Sequence, residues 1–245
     1  MGDLDSINLE LIYNSHNYLK NKVEYILLGN IKDASKYLSK INSKIEINEI
    51  YNPLNFENYK KNNINFFNIE NIYKEKYQTL LNQLSIANHL SNSTQIDLVT
   101  LPINKSVFKK KIEFTGMTEY LSKINRTDTI MLMYGEKFSV IPLTTHINLK
   151  DVRKYLNKKY LNLKLTLINK QIQRRIYELN FKSIKFLCYN PHCSEQNTIG
   201  NEDRKITEII KKFKNINGPL SADSAFNKIQ NNAYKKSNTR NIGPI

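Results

Sequence analysis

Tryptophan is absent from the 245 residues, and cysteine occurs only as Cys188 and Cys193. Two cysteines make no disulfide framework. No apolar run approaches the roughly 20 residues that a helical membrane span needs. The opening MGDLDSINLE holds acids where a secretory signal would hold lysines, so no export signal is expected and the chain reads as cytoplasmic. Acids are also scarce, 22 against 37 Lys and Arg, for a net charge of +15. Such an excess raises nucleic acid as a partner. The lysines, however, are scattered (Lys20, Lys60, Lys109, Lys158, Lys211, Lys235), with no Arg-rich cluster and no motif of a nucleic-acid module. Over-use of Lys, Asn and Ile accounts for the charge, and neither membrane nor nucleic acid is the expected partner.

What is present suits a buried core. Hydrophobic residues make up 40% of the chain, and 15 Tyr and 10 Phe supply bulk for one large domain or two modest ones. Residues 7–19 have helical spacing, Val23–Leu28 reads as a strand, and Asp33 is placed to cap a short helix bearing Tyr37, Leu38 and Ile41. Ile45–Tyr51 alternates like a strand, 52–72 reads as a long loop, and Tyr77–Leu90 as a helix. Ile96–Thr100 and 128–134 are predicted strands. The repeat Leu161, Leu165, Ile168, Ile172, Ile176, Leu179 marks the clearest helix. Ile184–Tyr189 is a predicted strand, and Asn201 starts a helix reaching about Phe213 with Glu202 and Asp203 in its first turn. Alternation of strands and helices implies parallel pairing and an α/β layered fold. The texture shifts near Gly116, which divides the chain into 1–116 and 117–245.

The stretch Lys137–Asp151, KFSVIPLTTHINLKD, concentrates the chemistry. A strand-like run stops at Thr144-Thr145-His146, and a helix follows Asn148, with Asp151 at capping-box spacing. In open α/β sheets ligands bind beyond the carboxyl ends of strands. Two other loops follow predicted strands: 100–105, and Asn190-Pro191-His192-Cys193-Ser194-Glu195. Parallel strands in one sheet would bring His146 and His192 to one edge, near enough to share an ion. Two imidazoles suit Zn, Co, Ni or Fe better than Mg, and a catalytic zinc has a third protein ligand. The plain alternative for each is a loop or capping histidine. His16 and His89 fall within predicted helices, where packing or surface roles are expected. Cys193 lacks the paired base that a nucleophile requires. Gly116-Met117-Thr118-Glu119 offers a turn, a hydroxyl and a carboxylate ahead of a helix. Gly218–Phe226 suits either a close backbone approach or the start of a helix capped at Ser221 or Asp223.

Taken in order, LPINK (101–105), FTGMTEYL (114–121), LTTHINLKDV (143–152), YNPHCSEQNTIGNED (189–203) and GPLSADSAF (218–226) resemble 4-hydroxythreonine-4-phosphate dehydrogenase of pyridoxine phosphate (vitamin B6) biosynthesis. MGDLDSINLELI resembles that family's opening turn and first helix. The resemblance implies a homodimer of two-domain α/β/α subunits of the isocitrate dehydrogenase type. It also implies oxidation of 4-phosphooxy-L-threonine with NAD or NADP and a divalent metal (Zn, Co or Mg), with decarboxylation of the product. By motif, His146 and His192 would be metal ligands, and Thr118 a contact to the small phosphorylated substrate. Lys105 suits a phosphate or carboxylate contact, or is a surface lysine.

Three departures bear on activity. The family has His where this chain has Met117, and a thioether donates no hydrogen bond. Ser6 and Asn8 stand where the family prefers glycines. The family also has a strand before Met-Gly-Asp and continues to a third metal histidine, whereas no histidine follows His192 in these residues. The expectation is a fold incomplete at its C-terminus, with impaired activity. A catalytically inactive remnant or binding protein of the same fold stands as the alternative, with a basic RNA-binding protein behind it.

Overall fold

The computed structural model describes residues 6–54, 58–94, 96–109, 111–135, 138–173, 183–230 and 239–243. The chain divides between Phe114 and Thr115 into two units.

The first unit contains α1 (Asn8–Leu19), β1 (Leu27–Gly29), α2 (Ile31–Lys40), β2 (Ile47–Glu49), β3 (Ile64–Asn68) and α3 (Lys76–Thr94), followed by a 3-10 turn at Lys105–Phe108. Its three strands are parallel in the order β1-β3-β2, with Leu27 beside Phe66 and Ile47 beside Ile64. Helix α2 begins at Asn30, whose side chain accepts from the N–H groups of Lys32 and Asp33. Asn30 is therefore the cap, and the predicted cap Asp33 lies in the first turn, where its charge suits the helix dipole. Ala34 and Leu38, four apart on one face, pack with Leu27, Ile64 and Phe66.

Strand β3, the centre of this sheet, falls inside the stretch predicted as a loop. Its sequence INFFN carries a buried Asn65, whose polarity masks the strand pattern. The Asn65 amide is fully engaged. Its oxygen accepts from Asn48 Nδ2 at 2.8 Å and Lys60 N at 2.9 Å, and its nitrogen donates to Lys60 O at 2.9 Å. A buried amide so satisfied carries no desolvation penalty of the kind an orphan would. A further correction applies. Residues 96–100 form no strand, and Val99 there is 83% exposed. His16 is buried, as a packing histidine should be. Its Nε2 donates to Asn62 O at 3.1 Å, and Nδ1 accepts from the Tyr25 hydroxyl at 2.8 Å. His89 is exposed on α3.

The second unit contains α4 (Met117–Asn125), β4 (Val140–Pro142), α5 (Val152–Tyr155), α6 (Lys158–Gln173), β5 (Ser183–Leu187), α7 (Glu202–Ile210), β6 (Ile216–Leu220), α8 (Ala222–Gln230) and β7 (Thr239–Gly243). Its sheet is parallel, in the order β4-β7-β5-β6. Leu161, Leu165 and Ile168 of α6 recur at the predicted steps. They pack with Ile184 and Phe186 of β5 and with Ile206, Ile209 and Ile210 of α7. The continuation predicted through Ile176 and Leu179 lies outside the described residues. The predicted strand at 128–134 makes only one antiparallel bridge, Met133 to Val140. Gly218-Pro219-Leu220, read as loop or the start of a helix, belongs to β6. Among the described residues no helix is long and apolar enough to cross a membrane.

Candidate active site

Strand β4 ends at Pro142, and the chain then carries Thr144, buried, and Thr145, half-buried, to His146 at φ 54°. The left-handed backbone at His146 turns its ring toward the start of α4. There the His146 Nδ1 lies 3.1 Å from Glu119 Oε2, and the Thr145 hydroxyl donates to Glu119 Oε1 at 2.7 Å. The carboxylate thus takes one partner on each oxygen. Partial burial pulls the Glu119 carboxyl upward. The Thr145 hydroxyl, the residue's own backbone N–H and the His146 ring outweigh that and hold it below the ordinary glutamate value.

Gly116 makes the approach possible. A Cβ on it would lie 2.5 Å from His146 Cε1 and 2.6 Å from Glu119 Oε2. Thr118, one residue before Glu119, lines a cavity of 340 Å³ with Thr145, Tyr160 and Lys164. The Tyr160 hydroxyl donates to Leu143 O, and Lys164 Nζ to Thr129 O, each at 2.8 Å. Met117, half-buried, opens α4. Asn148 accepts from Lys150 N as a cap, while Asp151 pairs with Lys154 at 2.6 Å rather than closing a box.

His192 sits in a turn of unusual geometry. From His192 to Asn197 six consecutive residues hold positive φ, and none is glycine. Left-handed backbone costs an L-residue about 1–2 kcal/mol, so the turn needs external support. Asp203, buried at the start of α7, provides it. Its carboxylate accepts from Tyr189 N at 2.6 Å, Asn190 N at 3.1 Å and Ser194 Oγ at 2.6 Å. Asn190 Nδ2 adds bonds to Ser194 Oγ at 3.0 Å and Glu202 Oε2 at 3.1 Å. Arg153 pairs with Glu202 at 2.7 Å.

The Asp223 carboxyl is held low first by the Ser221 hydroxyl and then by the Ser224 N–H, with the His192 ring contributing. That places His192 within electrostatic reach of Asp223. Burial first, and then the neighbouring Cys188 thiol, pushes the Cys193 thiol up to about 12. It is a poor thiolate nucleophile at neutral pH.

Both histidines therefore follow strands of one parallel sheet, at its carboxyl edge. β7 separates β4 from β5, a spacing of roughly 9.6 Å at about 4.8 Å per strand. The donor type fits a borderline divalent ion in part. His146 keeps Nε2 available, yet among the described residues no three His, Cys, Asp or Glu stand together as a metal set. Lys105, exposed, opens the 3-10 turn of the first unit. The residue that sequence reasoning undervalued is Glu119. Its place after Gly-Met-Thr was visible, but its partners lie 26 and 27 residues away.

A profile of the family described as "Pyridoxal phosphate biosynthetic protein PdxA" matches residues 11–237. The 4-hydroxythreonine-4-phosphate dehydrogenase of Aquifex aeolicus is 33% identical over 92% of this chain and 74% of its own length. The Campylobacter fetus enzyme of that name is 31% identical over 93% and 73%. The chain belongs to the 4-hydroxythreonine-4-phosphate dehydrogenase family.

Two solved structures bearing that family name share the fold. The Klebsiella pneumoniae structure superposes with a TM-score of 0.76 at 21% identity, covering 100% of this chain and 79% of that one. The Burkholderia phymatum structure gives 0.78 at 19% identity, covering 99% and 78%. Family membership makes this chain one of a set of dehydrogenases of pyridoxal phosphate biosynthesis.

Proposed function

We propose that this chain oxidises 4-phosphooxy-L-threonine with NAD or NADP, and that the product loses carbon dioxide to give 3-amino-2-oxopropyl phosphate. The observation that carries the proposal is the clasp of His146 by Glu119, itself anchored by the Thr145 hydroxyl and one residue from Thr118, on a chain of this family. In this reading Thr118 holds the substrate by its hydroxyl. His146 and His192 hold a divalent cation (Zn, Co or Mg), and the Asp203 network fixes the turn that presents His192. When bound, such a cation polarises a substrate oxygen and the nicotinamide accepts a hydride. Lys105 supplies a countercharge to phosphate or carboxylate. The reading includes an α/β/α two-domain subunit of the isocitrate dehydrogenase type, paired as a cytoplasmic homodimer.

Met117 favours a second reading, a protein that keeps the fold and binds without turnover. Its thioether offers no hydrogen-bond donor where a histidine would. The assay is reduced nicotinamide formation from 4-phosphooxy-L-threonine with added Zn, Co or Mg. Turnover that His146→Ala and His192→Ala each abolish supports the dehydrogenase. Turnover no higher than those controls leaves the binding protein.

A further inference from the structure

We propose that Glu119 is a positioning residue that locks the His146 ring with its proton on Nδ1, leaving Nε2 as the nitrogen offered to a cation. The inference rests on the metal reading above and specifies how this chain prepares one of the two ligands.

The geometry leaves the carboxylate one role. Oxygens of an ionised carboxylate only accept hydrogen bonds. Oε1 is taken by the Thr145 hydroxyl at 2.7 Å, so the contact of Oε2 with His146 Nδ1 at 3.1 Å requires the hydrogen to be on the ring nitrogen. A neutral imidazole protonated at Nδ1 carries its lone pair on Nε2. The opposite tautomer would set a lone pair against a negative oxygen. His146 Nε2 has no hydrogen-bond partner among the described residues, and the side chain is 35% exposed, so that lone pair is left uncommitted.

Three independent features converge on the same ring. Thr145, the residue before the histidine, anchors the far oxygen and keeps the carboxylate from rotating away. Gly116 has extended backbone at φ −171°, which any residue adopts, so its glycine is not needed for conformation. It is needed for room, since a Cβ would lie 2.5 Å from His146 Cε1 and 2.8 Å from Nδ1. His146 itself holds a left-handed backbone at φ 54°, a conformation that persists where surrounding contacts enforce it. A carboxylate behind a ligating imidazole fixes ring orientation and raises its basicity, and its loss typically lowers metal affinity about 10- to 100-fold.

The discriminating substitution is Glu119→Gln. It keeps the shape, and its amide can donate to Nδ1, which stabilises the tautomer whose Nε2 is blocked by a proton. Cobalt(II) and zinc titrations of the full chain, read by cobalt absorption and by calorimetry, should show a 10- to 100-fold loss of affinity in Glu119→Gln, with an unchanged melting temperature. Nitrogen-15 shifts of the metal-free His146 ring should report Nδ1–H in the parent and a shift toward Nε2–H in the variant. Glu119→Ala, in which no group can donate to Nδ1, should lose affinity but show a mixture of tautomers. A His146 ring that stays wholly Nδ1–H in both Glu119→Gln and Glu119→Ala overturns the proposal. So does metal affinity within about threefold of the parent while His146→Ala loses binding, and there the metal reading survives. If His146→Ala binds cobalt as the parent does, the metal reading itself fails and the proposal falls with it.

Discussion

Replacing Asp203 by asparagine changes one atom and should loosen the turn that carries His192. The carboxylate accepts three hydrogen bonds, from Tyr189 N on Oδ1 and from Asn190 N and Ser194 Oγ on Oδ2. An asparagine retains one accepting oxygen. Its best orientation keeps that oxygen on the Asn190 and Ser194 side, which sets the amide nitrogen against the Tyr189 N–H across a 2.6 Å contact. One charge-assisted bond, worth about 1.5–3 kcal/mol, is lost, and a donor now faces a donor. The other two bonds become neutral. The expected cost is about 2–4 kcal/mol, at the upper end of what single substitutions do. Urea unfolding gives the magnitude. Hydrogen exchange gives the place: Tyr189 and Asn190 amides should lose protection while those of α6 keep theirs. Six left-handed residues without this anchor should relax toward ordinary backbone and carry His192 with them. A loss below about 0.5 kcal/mol, with Tyr189 and Asn190 still protected, would refute the claim that Asp203 holds the turn.

Two further outcomes are expected. Gly218→Ala should destabilise by about 2–4 kcal/mol in urea unfolding, because a Cβ there runs into the Phe186 carbonyl and φ is +136°; an alanine variant as stable as the parent would refute this. Tyr25 is pushed up to about 12 by burial first and by Tyr59 second, so the folded state keeps its proton where the unfolded chain loses it. That contribution is whole below pH 10 and is lost as pH rises toward 12. With Tyr25 only about half buried, screening reduces it to roughly 1 kcal/mol. Stability curves of the parent and Tyr25→Phe should converge over that window, and parallel curves would contradict the assignment.

The helices were legible wherever apolar residues repeat and the partner is a hydrophobic core, as with Leu161, Leu165 and Ile168. Strands were harder to read because those of the first sheet are short, and β3 mixes Phe with a buried asparagine that is satisfied by residues 48, 60 and 63. Residues 96–100 show the opposite failure: Ile96, Leu98 and Val99 look like a buried strand, yet they find no ladder and leave Val99 in solvent. His146 and His192 could be picked out because a strand end followed by polar residues is a local pattern, and Thr118 because it stands in the Gly-Met-Thr-Glu motif ahead of a helix. The clasp could not, since nothing local links Glu119 to a ring 27 residues away. The left-handed turn was equally hidden. Positive φ is normally announced by glycine, and here it is enforced from outside by a carboxylate on the next helix.

The order β4-β7-β5-β6 has a consequence for how the second unit comes into being. β4 and β5 bear the two histidine loops, but neither pairs with the other; each pairs with β7, residues 239–243. During synthesis both strands leave the ribosome with an open edge facing a gap that, among the described residues, β7 fills. Their alignment therefore waits until residues 239–243 have emerged. Until then the two exposed edges are templates for wrong partners. Holdase chaperones should bind nascent chains in which residues 239–243 have not yet emerged more strongly than those in which they have.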